Sequence, residues 1–470
     1  MKFLVFLLTI CALHANATPV DSSAGIDHIL TTLYQRGQFN GSILVAVNGK
    51  IIYRNAFGES NFETHEKFAP ATISCLASLS KQFTAMTVMM LKEEQKINYD
   101  DPVSKYIPEL SSYAYGITIR HLLTHTSGIP DVGDLGIDIP SLTNADVVKA
   151  LMKKDAPTLF RPGTKYQYSN TGYMLLATIV ERITNKPFKD FLTEKIIVPL
   201  QMQNTFVYDG SQIKPPNTAV GYSQFGKPDD YNGKSEGASG MYSCVDDLLK
   251  WDQALYSEKL VKQSTLDTAF TPAHVAEGKT TYGFGWNTTG TGGDKVVWHT
   301  GSTAGLRAFI ERRLKDRVTI IMLTNKGNSR RVEINDAIVN LLAGLSYKLP
   351  KIPISEKMYE VINKTGIQSA ANMYNALIAS KDSTYDFAES ELNTLGYQLL
   401  GENKSKEGIA IFELNTKTYP NSSNAFDSLG DAYASAHDKD LAIKNYQKAV
   451  DLDKNNLESQ AKLKKLKQLN

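Results

Sequence analysis

The stretch Ser78-Leu79-Ser80-Lys81 opens an apolar segment whose pattern predicts a helix over 78–91. In a helix, residues three apart lie on one face, one turn from each other, so the serine and the lysine would be neighbours. A serine hydroxyl is a weak nucleophile until a nearby base takes its proton, and a lysine in a desolvated pocket can have its pKa lowered enough to assist. Most Ser-x-x-Lys pairs lie on solvated faces, so the rest of the chain must decide whether this pair is catalytic.

The residue patterns on either side of this helix predict strands of a single sheet. Four β-type runs flank it, at 42–47, 50–54, 306–313 and 318–324. The first two are joined by Asn48-Gly49, which is typical of a two-residue hairpin turn, and a closing helix is predicted over 332–345. The region between about 100 and 200 is mostly helical in pattern. Strands at both ends of a helical middle indicate one α/β domain whose sheet joins the two ends of the chain.

The last part of the chain differs in character from the rest. Residues 348–354 contain two prolines and predict a linker. Beyond it, Gly396 and Gly430 are 34 residues apart, as are Phe412 and Tyr446. This period, with its alternation of small and large residues, fits the helical hairpins of the tetratricopeptide repeat, so the sequence predicts a C-terminal α-helical repeat domain.

Residues 1–17 have the features of a secretory signal peptide. Lys2 gives a positive start, residues 3–13 form a largely apolar run, and residues 15–17 form a small-x-small cleavage site. The run is shorter than the ~20 residues that span a bilayer. We therefore expect a periplasmic or secreted protein without a transmembrane anchor, with a short membrane anchor as the alternative.

Composition and charge exclude several classes of function. The chain has 470 residues, and 51 basic residues nearly balance 49 acidic ones, for a net charge of +2. Nucleic-acid-binding domains usually carry a concentrated positive excess, so no nucleic-acid partner is expected. Three cysteines are too few for a disulfide-stapled scaffold. Cys75 and Cys244 would remain after export, and we expect two buried thiols, with a single disulfide as the alternative.

Two further motifs follow the Ser-x-x-Lys along the chain. Tyr-Ser-Asn at 168–170 supplies a phenol that can relay a proton and an amide that can orient a substrate carbonyl. His-Thr-Gly at 299–301 follows an apolar pair, and a glycine in a strand lets a substrate backbone come close. In this order, the three motifs are far more specific than any one of them alone.

This ordered set resembles the serine β-lactamase and penicillin-binding-protein superfamily, in the branch of class C β-lactamases, DD-peptidases, D-aminopeptidases and related esterases. Stretches at 117–130, 237–251 and 282–286 also resemble this family, and the resemblance covers about residues 26–345. It implies an α/β (α+β) fold, a mixed sheet flanked by helices plus an all-helical subdomain. The chain then divides into a signal peptide, a catalytic domain, a linker with helices and the repeats, at 1–17, 18–347, 348–383 and 384–470.

The resemblance also implies roles for the residues of the first two motifs. Ser78 would be the acylated nucleophile, and Lys81 would help to deprotonate it. Tyr168 would act as the partner base and acid, and Asn170 would orient the substrate.

For the third motif, the resemblance implies a substrate-binding strand. His299, Thr300 and Gly301 would form the strand edge that flanks the substrate. The oxyanion hole would consist of the backbone N–H groups of Ser78 and Ser302.

His299 is a departure from many β-lactamases, which have lysine at this position. A lysine is a permanent cation that attracts a substrate carboxylate, whereas a histidine near pH 7 is mostly neutral. His-Thr-Gly also occurs in DD-peptidases and D-aminopeptidases of this branch. The difference therefore weakens the case for an efficient β-lactamase and leaves the case for a serine hydrolase intact.

We therefore expect an exported serine hydrolase that needs no cofactor and cleaves amide or ester bonds through an acyl-enzyme on Ser78. Its substrate would be a small molecule or peptide, namely a β-lactam, a D-alanyl peptide or a small ester. The alternative is a penicillin-binding-like receptor or scaffold in which the helical repeats bind a protein partner. No metal site is expected, because His121 and His125 lack the glutamate of a zinc-binding His-Glu-x-x-His helix.

Overall fold

The computed structural model describes residues 22–135, 142–153, 158–210 and 213–468. The predicted signal peptide, 1–17, lies outside these residues. Within the described ranges, no helix combines the length and the apolar character needed to cross a bilayer. The chain divides into two compact units. The first comprises the residues up to Ala219, Asn232–Asn325 and Arg330–Leu349, and the second comprises Val220–Tyr231, Lys326–Ser329 and the residues from Pro350 onward.

The first unit combines one large sheet with short strand pairs and helices. Its strands are β1 Gly41–Val47, β2 Lys50–Phe57, β3 Glu59–Asn61, β4 Glu66–Lys67, β5 Ser74–Cys75, β6 Phe206–Val207, β7 Met241–Ser243, β8 Asn287–Thr289, β9 Val296–Thr303, β10 Leu306–Arg313 and β11 Val318–Thr324. Its α-helices are α1 Ser22–Gln35, α2 Ser80–Glu93, α3 Ile119–Leu123, α4 Asn144–Met152, α5 Asn170–Thr184, α6 Phe188–Leu192, α7 Val245–Ala254, α8 Gln263–Ala269 and α9 Arg331–Leu342.

The second unit is mainly helical. Its strands are β12 Ile352–Pro353 and β13 Tyr385–Asp386, and its helices are α10 Ile354–Thr365, α11 Ile367–Ala379, α12 Glu389–Gly401, α13 Ser405–Thr418, α14 Ser423–Ser435, α15 Lys439–Leu452 and α16 Leu457–Gln468.

The main sheet joins strands from the two ends of the first unit. Its order is β2-β1-β11-β10-β9-β8, and each neighbouring pair is antiparallel. β1 pairs with β11 along its whole length, from Gly41 opposite Thr324 to Val47 opposite Val318. The predicted joining of the chain ends in one sheet is confirmed, and the hairpin turn lies at 48–49 as the sequence indicates.

Alternate side chains of the sheet belong to two separate cores, because successive residues of a strand face opposite sides. In β1, Ile43 and Val45 pack in the core that contains α1 and α9. Leu44 and Ala46 pack in the other core, which contains α2, α5 and α7. Helices therefore cover both faces of the sheet, and the predicted fold class, a sheet flanked by helices with a C-terminal helical region, is confirmed. The main sheet differs from the expected mixed sheet in that its neighbouring strands are all antiparallel.

The second unit repeats one helix contact after 34 residues. The ring of Phe412 in α13 lies over Gly396 in α12, and the ring of Tyr446 in α15 lies over Gly430 in α14. A Cβ atom would be 2.5 Å from the first ring and 2.6 Å from the second, so a larger residue would separate the helices. The period seen in the sequence is therefore a period of helix packing.

Two short segments from earlier in the chain also belong to the second unit. Phe225 packs against Tyr359 of α10 with ring centroids 4.7 Å apart, and Lys326 pairs with Glu356 at 2.9 Å. A loop sequence does not show which core it will join, so the pattern alone gave no sign of these contacts. The chain therefore enters the second unit three times.

Cys75 ends β5 and Cys244 precedes α7, and both side chains are buried without a disulfide between them. The expected pair of buried thiols is confirmed. Burial raises the pKa of the Cys244 thiol to about 11. This thiol therefore stays protonated and unreactive at neutral pH.

An ion pair without exposed side-chain surface links α7 to the sheet. Arg312 of β10 donates through Nε to the Oδ1 of Asp252 at 2.6 Å and through Nη2 to the Asp252 carbonyl oxygen at 3.2 Å. The guanidinium carbon also lies 4.4 Å from the centre of the Tyr256 ring. The charge of Arg312 is thus compensated by a single carboxylate and by aromatic contact.

Replacing Asp252 with alanine leaves the Arg312 charge buried without its partner, so we expect the free energy of unfolding to fall by about 3–5 kcal/mol. Asp246→Ala is a matched control, because Asp246 lies on the same helix and pairs with Arg54 where the side chains are 29% and 40% exposed. Exposed pairs contribute about 0–1 kcal/mol. Urea unfolding measures both losses, and equal values would contradict the prediction.

Candidate active site

The serine of the Ser-x-x-Lys motif lies in a short 3-10 turn, Ala77–Leu79, directly before α2. The regular α-helix thus begins at Ser80, two residues later than the sequence indicates. Ala77 has a φ of 47°, a left-handed conformation that costs free energy in a residue with a Cβ atom. This strained turn leaves Ser78 half-buried, with its side chain on the wall of a cavity.

Lys81 lies in the first turn of α2 and has no exposed surface. Its Nζ donates to the Oγ of Ser78 at 3.1 Å, the Oδ1 of Asn170 at 2.8 Å and the carbonyl oxygen of Ala238 at 2.9 Å. Burial lowers the pKa of Lys81 to about 7, and the negative charge of Asp131 opposes this shift. Near neutral pH, the amine therefore exists in both forms, and its neutral form has a lone pair that can take the serine proton.

Asp131 fixes the orientation of the Asn170 amide. Its Oδ1 accepts the backbone N–H groups of Asn170 and Thr171, at 2.6 and 3.3 Å, and its Oδ2 accepts the Asn170 Nδ2 at 3.0 Å. An ionised carboxylate only accepts hydrogen bonds, so the amide nitrogen must face Asp131 and the amide oxygen must face Lys81. Asp131 also satisfies two backbone donors at the start of α5.

Tyr168 lies beside Lys81, with its ring centre 4.8 Å from the Nζ. Burial raises the pKa of its phenol, which therefore keeps its proton at neutral pH. His125 supports this ring, with centroids 4.1 Å apart, and accepts the backbone N–H of Ser169 on its Nδ1 at 3.1 Å. From the sequence, His125 was considered only as a possible metal ligand, and its packing against Tyr168 could not be predicted.

Gly301 allows strand β9 to lie against the backbone that leads to Ser78. A Cβ atom on Gly301 would be 2.1 Å from the carbonyl oxygen of Leu76. Any larger residue would force the strand away from the serine turn. The glycine of the His-Thr-Gly motif thus sets the distance between β9 and the turn that holds Ser78.

His299 is buried and electrically neutral. Its Nδ1 donates to the carbonyl oxygen of Thr300 at 2.6 Å, and its Nε2 accepts from the hydroxyl of Tyr282 at 2.9 Å. Burial, with a smaller effect from the Lys81 charge, lowers the pKa of His299 to about 3. The position that is a lysine in many β-lactamases therefore carries no charge here at neutral pH. Tyr282 is itself 1% exposed, so this hydrogen bond lies inside the core.

These groups meet at a cavity of about 330 Å³. The lining residues are Ser78, Tyr168, Asn287, Trp298, His299, Thr300 and Ser302. Three other predicted site residues do not line the cavity but contact the serine or the turn that holds it: Lys81 bonds to Ser78, Asn170 bonds to Lys81, and Gly301 packs against Leu76. Asn287 and Trp298, which pair across β8 and β9, were not predicted as site residues because neither belongs to one of the three motifs.

The two histidines of the 117–130 stretch bind backbone groups. The Nδ1 of His121 accepts the backbone N–H of Thr118 at 3.2 Å and so caps α3, while His125 accepts that of Ser169. Among the residues that the structure describes, no group of three or more His, Cys, Asp or Glu side chains is placed to hold a metal ion.

Asp131→Ala removes the acceptor of two backbone donors and one amide, so we expect the free energy of unfolding to fall by about 2–3 kcal/mol. Asp134→Ala, an exposed carboxylate in the same loop, serves as the control and should unfold like the wild type. Urea denaturation of the three proteins tests this. A loss for Asp131→Ala no larger than for the control would refute the capping role.

Comparison with known proteins identifies one family. The Beta-lactamase family model matches residues 26–344. The chain is 33% identical to penicillin-binding protein 4* of Bacillus subtilis over 356 residues, which cover 70% of this chain and 78% of that protein. It is 30% identical to protein flp of Staphylococcus aureus strain MW2 over 348 residues, which cover 68% of this chain and 67% of that protein.

A solved structure agrees with these relatives. The octameric penicillin-binding protein homologue from Pyrococcus abyssi is similar with a TM-score of 0.62 and 25% identity, over 73% of this chain and 81% of that chain. The family match spans more than half of the sequence and includes each of the three motifs. This chain therefore belongs to the Beta-lactamase family and is a serine hydrolase of the β-lactamase and penicillin-binding-protein type.

Proposed function

We propose that this protein is an exported hydrolase that cleaves amide or ester bonds through an acyl-enzyme on Ser78. The observation that carries the proposal is the 3.1 Å hydrogen bond between Lys81 Nζ and Ser78 Oγ, in surroundings that lower the pKa of the lysine to about 7. A buried amine costs folding free energy, so its place beside the serine supports an enzyme rather than a receptor or scaffold. Export rests on residues 1–17, which lie outside the described residues.

In the acylation step, neutral Lys81 takes the proton of Ser78 while the Oγ attacks the substrate carbonyl carbon. A carbon–oxygen bond forms, and the carbonyl oxygen gains the negative charge. We assign the oxyanion hole to the backbone N–H groups of Ser78 and Ser302, which bear the same relation to the motifs as in the family. Asn170 keeps the amine of Lys81 directed at the serine.

The leaving group needs a proton, and Tyr168 is proposed to supply it. Its raised pKa means that the phenol is protonated at neutral pH and can donate as the carbon–nitrogen or carbon–oxygen bond breaks. The proton that Lys81 took from Ser78 then restores the phenol. Water hydrolyses the acyl ester by the same groups acting in reverse, which returns Ser78 to its hydroxyl form.

We infer that the preferred substrates are neutral esters and amides, including D-amino-acid amides, ahead of β-lactams. Among the described residues that line the cavity, none is cationic, and His299 is neutral at pH 7. A substrate carboxylate would therefore find no charged partner on the cavity wall. Trp298 and Tyr168 offer apolar surface, and Asn287 offers an amide that can bond a substrate peptide group.

Ser78→Ala removes the nucleophile, so we expect no labelling by a serine-directed fluorophosphonate and no turnover of short-chain nitrophenyl esters above background. Ser80→Ala is the control, because the Oγ of Ser80 is buried and accepts the backbone N–H of Met241 at 3.2 Å. It should label like the wild type, as measured by gel fluorescence. Equal labelling of Ser78→Ala and wild type would overturn the assignment.

The pH dependence should follow the ionisation of Lys81. Because only its neutral form accepts the serine proton and its pKa is about 7, kcat/KM for a neutral ester should rise through pH 7 and level off above it. The pKa of His299 is about 3 and that of Tyr168 is raised, so neither titrates in this window. Lys81→Arg, which stays charged, should be inactive throughout. A flat profile between pH 5 and 9 would exclude Lys81 as the base.

A further inference from the structure

Arg331, the first residue of α9, reaches strand β9 where it forms the proposed oxyanion hole. Its Nη1 donates to the carbonyl oxygens of Gly301 and Ala308, the second at 3.2 Å, and its Nη2 donates to the Oγ of Ser302 at 3.1 Å. Gly301 and Ala308 are paired residues of β9 and β10. The guanidinium therefore lies over this pair of residues and bonds to both strands.

This arginine is a partly buried cation, and none of the hydrogen bonds that the structure describes for it is to a carboxylate. In the described part of the chain it forms no ion pair, and its Nε is buried without a hydrogen-bond acceptor. Burial and the nearby charge of Arg307 lower its pKa to about 9, so it remains charged at neutral pH. Removing even part of an unpaired charge from water costs folding free energy, and such costs concentrate where a charge serves function.

The contact with Gly301 bears directly on Ser302. The Gly301 carbonyl and the Ser302 N–H belong to the same peptide unit, and in a trans peptide they point to opposite sides. A charge-assisted hydrogen bond to the carbonyl polarises the unit and strengthens its N–H as a donor.

The same peptide is held from both faces of the sheet. Successive strand residues face opposite sides, so the face of Gly301 lies against Leu76, where a Cβ would be 2.1 Å from the carbonyl oxygen. The side chain of Ser302 lies on the other face and meets Arg331. The peptide plane is thereby fixed between the serine turn and α9.

We propose that Arg331 is a positioning residue that orients and polarises the Gly301–Ser302 peptide, so that the Ser302 N–H stabilises the oxyanion formed when Ser78 attacks. The inference rests on the proposed function of the site. The three described hydrogen bonds of Arg331 all go to the Gly301–Ser302 segment and its strand partner Ala308, so it is proposed to act through the peptide, and the ester that carries a carboxylate tests direct binding of a substrate charge.

Arg331→Gln removes the charge, and Arg331→Lys keeps it with a single donor group. Arg330→Gln is the matched control, because Arg330 is the adjacent arginine and pairs with Glu333 at 3.5 Å near the surface. The probes are a neutral nitrophenyl ester, a nitrophenyl ester that carries a carboxylate, and phenylboronic acid. The boronic acid forms a tetrahedral adduct on the serine that places an oxygen where the oxyanion forms.

For Arg331→Gln, we expect kcat/KM on both esters to fall about tenfold or more, through kcat, with KM near wild type. Affinity for the boronic acid should fall by a similar factor, a change that a merely structural role would not produce. Arg331→Lys should recover part of both losses, and Arg330→Gln should match the wild type. If Arg331→Gln does not fold, Arg331→Lys replaces it in the test. It should then show smaller losses of both kcat/KM and boronic-acid affinity.

Changes below twofold in turnover and boronate affinity, or a loss confined to the carboxylate ester, would overturn the inference. These outcomes bear on Arg331 only when the wild type is active and when Ser78→Ala abolishes its binding of the boronic acid. If the wild type itself neither turns over the esters nor binds the boronic acid through Ser78, the proposed function fails instead.

Discussion

The candidate active site depends on the burial of one amine. Lys81 has no exposed surface, and taking an ammonium group out of water costs several kcal/mol. Three neutral oxygens compensate in part, from Ser78 before α2, Asn170 at the start of α5 and Ala238 in the loop before β7. The part of this free-energy cost that the three oxygens do not offset lowers the pKa of the amine. Since the three acceptors come from separate parts of the chain, the site forms only when those parts have packed together.

The neighbouring groups leave Lys81 as the group that can exchange a proton near pH 7. Burial and the Lys81 charge both lower the pKa values of His125 and His299, so neither ring competes for a proton. The phenol of Tyr168 is shifted in the other direction and keeps its proton. The same water-poor surroundings thus lower the pKa values of the cationic groups and raise that of the phenol, as the proposed proton acceptor and proton donor require. Asp131 adds geometric control because its carboxylate fixes the Asn170 amide.

The second unit follows a different rule, in which repeated local contacts replace a single central core. Each glycine–aromatic contact, such as Gly396 with Phe412, joins two helices that are adjacent in sequence. Segments 220–231 and 326–329 extend this unit with contacts that are distant in sequence, as Phe225 with Tyr359 shows. A truncation after the first unit would therefore leave these segments without the core on which they pack.

Patterns of residues close together in the sequence predicted most of the fold. The sequence by itself determined the bounds of β10 and β11, the turn at 48–49 and the 34-residue period, because each depends on residues close together along the chain. Spacing also brought Ser78 and Lys81 together, since one helical turn separates them. These features follow from backbone geometry, and they required no knowledge of what lies on the opposite side of the core.

Tertiary structure alone decided the charges and the supporting contacts of the site. Asp131 meets Asn170 across 39 residues and Lys81 meets Asn170 across 89, and neither separation leaves a pattern in the sequence. Whether His299 is charged depends mainly on its burial, and the contact of Arg331 with β9 depends on how α9 packs on the sheet. The sequence named the groups that can react, and the folded chain set their protonation and direction, because both depend on how much water distant segments exclude.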